Sequence, residues 1–194
     1  MHTMNVKMVS DLPWVDLFRS IEAELAQIHQ RGPRERLPKE EQLRSHAYRW
    51  LLGQGASLVR VEAGYMDPND PGTHSEADIV ATFPGGELWL ELKRGNADHP
   101  GFQAKPQEGL RAWKADVRKL CDLAPTGASK AFLLVGIRER GSRGRLYAEA
   151  QRAEVTGELP SEQRADQPLC HDGRVSWRSE IPDAELVFRL WRWT

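Results

Sequence analysis

SEADIVATFPGGELWLELKRG, residues 75–95, reads as two strands joined by a tight turn. In the first arm Ile79, Ala81 and Phe83 alternate with Glu76, Asp78 and Val80. In the second, Leu88, Leu90 and Leu92 alternate with Glu87, Trp89, Glu91 and Lys93. A period of two gives each arm one apolar side. Pro84-Gly85-Gly86 supplies the turn, because glycine reaches positive φ without a Cβ clash. If Phe83 pairs with Gly86, Asp78 lies opposite Glu91; if Pro84 pairs with Glu87, Asp78 lies opposite Lys93. Either register places Asp78, Glu91 and Lys93 on one face, since directly paired residues share a face. A register between the two needs a bulge to restore the alignment.

Taken alone, this trio has a plain reading: cross-strand ion pairs on a solvated face, of little energetic worth. The flanking sequence argues for more. Leu37–Leu52, LPKEEQLRSHAYRWLL, has the spacing of a helix, with Pro38 suited to its first turn and Gly53 and Gly55 ending it. Glu40, Leu43, Ala47, Trp50 and Leu51 share a face that points toward a sheet, whereas Glu41 points away. The helix macrodipole alone also favours an acid at Glu40. Ser57–Tyr65, SLVRVEAGY, alternates as a strand, and MDPNDPGTH after it reads as a loop. Pro106–Leu123 carries Leu110, Trp113, Val117 and Leu120 at helical spacing. Lys130–Glu139, KAFLLVGIRE, has the unbroken apolar run of a buried strand.

Helix, three strands, helix, strand, with an Asp on the hairpin and a Glu-x-Lys after it, resembles the PD-(D/E)XK nuclease superfamily, the restriction-endonuclease-like fold. The resemblance spans about residues 38–140, roughly half the chain, with Ala77 standing where the family has proline. It implies an α/β domain with an αβββαβ core and a mixed central sheet flanked by helices. To this core the chain adds an N-terminal helical extension (13–31) and a C-terminal β extension (145–194), all within a single domain. It implies catalytic roles for Asp78, Glu91, Lys93 and Glu40, and Mg²⁺-dependent cleavage of nucleic acid, DNA in most members. The superfamily also holds RNA-cutting and catalytically silent members, so a module that only binds nucleic acid or a protein partner is the alternative.

The chemistry fits the residue types. Mg²⁺ takes oxygen ligands in octahedral geometry, commonly one or two carboxylates with waters and substrate phosphate. Asp78 and Glu91 offer two such carboxylates, and the resemblance implies the Leu92 carbonyl as a third oxygen, with Mn²⁺ a workable substitute. Lys93 is a compact charge suited to orienting water or offsetting charge on the phosphorus centre. Beside carboxylates it stays charged, which favours an electrostatic role over a basic one.

The chain has 194 residues, 40% hydrophobic content, seven Trp and a formal net charge of -1, enough for one substantial core. A nucleic-acid binder of this balance must cluster its cations, because phosphate contacts dominate affinity. One cluster is Arg138, Arg140, Arg143 and Arg145 in RERGSRGR. The other is Lys105, Arg111, Lys114, Arg118 and Lys119 around the second core helix, for which a plain solvated face with Glu108 and Asp116 interspersed is the competing reading.

Cys121 and Cys170 lack metal-ligand spacing and read as reduced thiols of a cytoplasmic protein. The six His form no closely spaced pair; His74 and His99 flank the hairpin, where loop histidines are usually solvated. No P-loop, nucleophile elbow or dinucleotide fingerprint occurs, and no apolar run approaches a membrane span. Trp14, Leu17, Phe18, Ile21, Leu25 and Ile28 form an amphipathic N-terminal stripe suited to covering the core or meeting a partner subunit, a homodimer included. Residues 157–173 read as irregular, with VSWRSEI and ELVFRLWRWT after them as strands. Trp191 and Trp193 there suit either packing or base stacking.

Overall fold

A computed structural model of the chain describes residues 8–31, 40–65, 75–95, 106–139, 155–161, 168–174 and 184–194. A 3-10 turn, Val9–Asp11, leads into α1 (Trp14–Arg31) and α2 (Glu40–Gly53). Then follow β1 (Leu58–Gly64), β2 (Glu76–Phe83), β3 (Gly86–Gly95), α3 (Pro106–Leu123) and β4 (Ser129–Glu139). Two further strands, β5 (Leu169–Arg174) and β6 (Ala184–Trp193), complete it. The protein is α/β, with a six-stranded mixed sheet in the order β1-β2-β3-β4-β6-β5. β3 and β4 run parallel, with α3 in the connection between them, and every other neighbouring pair is antiparallel.

The hairpin turn closes with Phe83 opposite Gly86, the first of the two registers its sequence allows. Gly86 sits at φ 136°, a conformation costly for a residue with a Cβ. α2 starts with Glu40 and Glu41 in its first turn and ends in a Schellman motif. There the amide of Gly55, at φ 96°, donates to the Leu52 carbonyl, and the Ala56 amide donates to that of Leu51.

Helices cover both faces of the sheet. Ile79, Ala81, Leu88, Leu90 and Leu92 pack with Trp14, Leu17 and Phe18 of α1 and Leu43, Ala47 and Leu51 of α2. Val80, Trp89, Phe132 and Trp191 pack with Trp113, Val117 and Leu120 of α3. This corrects the expectation of one apolar side per hairpin arm: Val80 and Trp89, grouped with the polar residues, are core. Helices pack on both faces of the sheet here, so alternation understates the burial of both hairpin arms.

β1 is kinked at Glu62, a non-glycine residue at φ 51°. Val61 pairs with Ile79 and Ala63 with Ala77, which leaves Glu62 across from Asp78. Beyond the kink Ala63, Tyr65 and Ala77 join the α3-side cluster, although alternation from Val59 and Ile79 assigns Ala63 and Ala77 to the α2 side. Few non-glycine residues adopt positive φ, so the surrounding pairing must hold Glu62 in this conformation.

The C-terminal region differs from its reading. β5 falls, but for its last residue, inside the segment expected to be irregular, while VSWRSEI lies outside the described residues. β6 follows ELVFRLWRWT and lies between β4 and β5. Trp191 and Trp193 are both buried, which assigns them to packing and withdraws them as an exposed stacking surface.

Candidate active site

Asp78 stands where β2 and β3 stop pairing. The ladder runs from Phe83 opposite Gly86 to Ile79 opposite Leu90, and one step more sets Asp78 across from Glu91. The backbone amide of Leu92 donates to Asp78 Oδ2 at 2.8 Å, which ties this carboxylate to the strand carrying Glu91 and Lys93. Asp78 is 9% exposed and Glu91 2%, so the plain reading of solvated surface charges is overturned for both.

Two acids in so dry a place cannot both ionise cheaply. Burial first, then the charge of Asp78 and a hydrogen bond with it, pushes the Glu91 carboxyl up to about 9. Asp116 adds to that push, and the Tyr65 hydroxyl, donating to Glu91 Oε1 at 2.9 Å, opposes it. Tyr65 itself is held far above the ordinary phenol range, by burial first and then by the Glu91 charge. Burial and the neighbouring acids thus favour the protonated form of Glu91, and a cation joining the pair would favour the ionised one.

Lys93 lies two residues on and faces a second group of acids. Its Nζ is 3.2 Å from Asp116 Oδ2 and 4.0 Å from Glu40 Oε2. Burial alone would lower its pKa, yet Asp116, Asp78, Glu40 and Glu91 together raise it above the usual lysine value. A charged Lys93, as expected from the sequence, is the outcome. Glu40 reaches the site from the head of α2, while Glu41 is exposed, in line with the helical spacing.

Three participants escaped the sequence reading. Arg44, one turn after Glu40, places Nη2 3.1 Å from Asp78 Oδ1 and also pairs with Glu62. Asp116, grouped with a solvated face, is 6% exposed and pairs with Lys119 at 2.7 Å besides Lys93. It sits three residues after Trp113 on the buried stripe of α3, and that spacing is the signal that could have found it. Tyr65 ends β1 beyond the Glu62 kink, which no alternation pattern reveals.

The oxygens of Asp78 and Glu91 gather at one point, whereas those of Glu40 and Asp116 close on Lys93. Among the described residues no group of three or more His, Cys, Asp or Glu is arranged to hold a metal ion. The donor set that fits a hard divalent cation is the Asp78 and Glu91 pair, supplemented by backbone carbonyl and water. The raised Glu91 pKa supports the fit, because a doubly charged ion would offset the repulsion that keeps this carboxyl protonated.

The expected phosphate-binding cations fare unevenly. Lys105, Arg140, Arg143 and Arg145 lie outside the described residues, as do His74 and His99; Arg138 falls within β4. Arg111 is exposed on α3. Lys114 pairs with Glu158 at 3.0 Å, and Arg118 does so at 2.6 Å. That stripe is therefore partly neutralised from within the chain. A cavity of about 520 Å³ opens at the other end of the sheet, lined by Trp14, Leu88, Lys130, Leu190 and Trp193. Among the described residues its lining has no acidic side chain, and it lies apart from the Asp78 and Glu91 pair. No described helix is long and apolar enough to cross a membrane.

Comparison of the chain with protein-family models, with curated proteins and with solved structures finds no match.

Proposed function

We propose that this protein is a metal-dependent nuclease of the restriction-endonuclease-like, PD-(D/E)XK type, hydrolysing phosphodiester bonds in DNA. The observation that carries the reading is the buried pair of Asp78 and Glu91, facing each other from adjacent antiparallel strands with Lys93 two residues beyond Glu91. The order of α2, three antiparallel strands, α3 and a strand parallel to the third supports it.

Asp78 and Glu91 would hold Mg²⁺ or Mn²⁺, which, when bound, supplies Lewis-acid polarisation of a phosphate and acidification of water. Leu92 fixes the rotamer of Asp78 through its amide. Tyr65 fixes Glu91 and favours its ionised form. Lys93, kept charged by its acids, offsets the negative charge that builds on the phosphate oxygens during attack. Glu40, at the edge of the cluster, lies 4.0 Å from Lys93 Nζ and helps keep it charged. Protein side chains thus hold the cation, aim the charges and keep the centre dry, which is most of what phosphoryl chemistry asks of a protein.

A second reading is a nuclease-fold module that binds nucleic acid or a protein partner without cutting. It draws on Asp78, whose two oxygens are already engaged by Arg44 and the Leu92 amide. One assay separates the two: purified protein incubated with supercoiled plasmid and with single-stranded DNA in Mg²⁺, Mn²⁺ or EDTA. Nicking that requires the metal supports the nuclease, while intact DNA in every lane supports the binding module.

A further inference from the structure

Arg44 pairs with the Asp78 oxygen that the Leu92 amide does not use. Oδ2 accepts from that amide at 2.8 Å, and Oδ1 lies 3.1 Å from Arg44 Nη2. A cation that takes Oδ1 shares it with a guanidinium or displaces it, and at Oδ2 the Leu92 amide already draws on one lone pair. The same guanidinium also pairs with Glu62, whose side chain is 61% exposed and whose backbone is held at φ 51°. Arg44 itself is largely buried, its side chain 16% exposed, so it cannot simply retreat into water.

We propose that Arg44 couples metal binding to nucleic-acid binding: it competes with the divalent cation for Asp78 Oδ1, and a substrate phosphate is the anion that takes it over. This rests on the nuclease reading and deepens it. Guanidinium forks match phosphate and carboxylate oxygens alike, but the Glu62 side chain is solvated, so a phosphodiester entering the sheltered cluster is the stronger partner for a displaced arginine. Until that phosphate arrives, Arg44 keeps Asp78 neutralised and metal affinity low. Once it arrives, the cation and Arg44 no longer contend for the same oxygen. Because coupling between two ligands is reciprocal, metal raises affinity for nucleic acid by the same factor.

Titration calorimetry with Mn²⁺ tests this without reading catalysis. In the absence of nucleic acid, Arg44→Gln binds Mn²⁺ roughly tenfold tighter than the parent, and Arg44→Lys falls between them. The coupling is measured in a Lys93→Ala background, in which cleavage of a short DNA duplex is expected to slow by roughly 100-fold or more. There the duplex raises Mn²⁺ affinity about tenfold, and adding Arg44→Gln abolishes that gain. A merely structural arginine predicts the opposite, a looser site and weaker Mn²⁺ binding on its removal. Equal or weaker Mn²⁺ binding by a cooperatively melting Arg44→Gln protein overturns the proposal, as does undiminished coupling in the double variant. Should Arg44→Gln not fold, Arg44→Lys decides: affinity no greater than the parent's overturns it. A parent that cuts DNA but shows no effect at Arg44 refutes this coupling alone. A parent that neither binds Mn²⁺ nor cuts refutes the nuclease reading with it.

Discussion

The Leu92 amide points at Asp78 Oδ2 across 2.8 Å, so the backbone of one strand orients the acid of the next. Leu92 stands between Glu91 and Lys93, whose side chains both face the cluster, while its own side chain packs on the α2 side of the sheet. One short run of β3 thereby supplies an acid, a backbone donor and a cation. A backbone donor cannot be lost by substitution at Leu92, short of proline. The weak points of the arrangement are the side chains.

Asp78→Ala, Glu91→Ala and Lys93→Ala are each expected to reduce metal-dependent DNA cleavage by roughly 100-fold or more, the scale of losing one well-placed charge in a dry site. Far-ultraviolet circular dichroism is expected to show the same secondary structure in all three, because the hydrophobic clusters on both faces of the sheet are untouched. Wild-type cleavage rates in any one variant remove that residue from the mechanism.

Glu91→Gln is expected to stabilise the metal-free protein by about 0.5–2 kcal/mol near neutral pH, since glutamine mimics the protonated acid without its ionisation. The pH dependence gives a sharper test. Glu91 titrates at about 9 when folded and near its ordinary value of 4.5 when unfolded, so its contribution is complete below that lower value and fades as pH climbs to the upper one. His46 acts in the opposite sense, since burial lowers its pKa, but it does so in the acid range. The Cys121 thiol, pushed up to about 11, matters only in the alkaline range. Between about pH 7 and 8.5 the wild-type melting temperature should fall with pH, and Glu91→Gln should flatten the slope. Equal slopes in the two proteins would rule out Glu91 as the titrating group.

Much of this was legible from the chain. The hairpin, its turn and its acidic pair follow from a period of two and three turn residues, and Phe83 opposite Gly86 is one of two registers that could be written down beforehand. α2 was legible from its apolar stripe and glycine stop. What hid were residues whose role depends on elements distant in sequence. Arg44 meets Asp78 only because α2 lies against the α2 side of β2, and Asp116 meets Lys93 only because α3 packs on the other face. Tyr65 reaches Glu91 only because Glu62 adopts positive φ and turns the strand end over, a backbone event that side-chain periodicity does not encode. β5, LCHDGR, carries too few apolar residues to read as a strand, and becomes one by pairing with β6.

Tyr65→Phe removes the donor at 2.9 Å from Glu91 and leaves the ring packing in place. Losing one buried hydrogen bond is expected to cost about 1–2 kcal/mol of stability. The same bond favours the ionised carboxylate, so its loss moves the Glu91 pKa higher still. If Glu91 must ionise to hold the metal, the acid limb of the cleavage profile shifts toward higher pH and Mn²⁺ binds more weakly at pH 7. A profile superimposable on wild type would show that Tyr65 does not set the charge of Glu91.

Lys93 and Asp116, at 3.2 Å, test whether the lysine is positioned by α3. Asp116 also holds Lys119, so Asp116→Ala alone mixes two losses. A double-mutant cycle with Lys93→Ala isolates the first, and an interaction energy on the order of 1–2 kcal/mol is expected for a pair this sheltered. Kinetics should follow: Asp116→Asn keeps the shape and removes the charge, leaving Lys93 free to wander within the cluster. Its cleavage rate is expected to fall by roughly tenfold with little change in DNA affinity, the pattern of a residue that positions another one. Unchanged turnover beside a large loss of stability would reduce Asp116 to a structural anchor for α3.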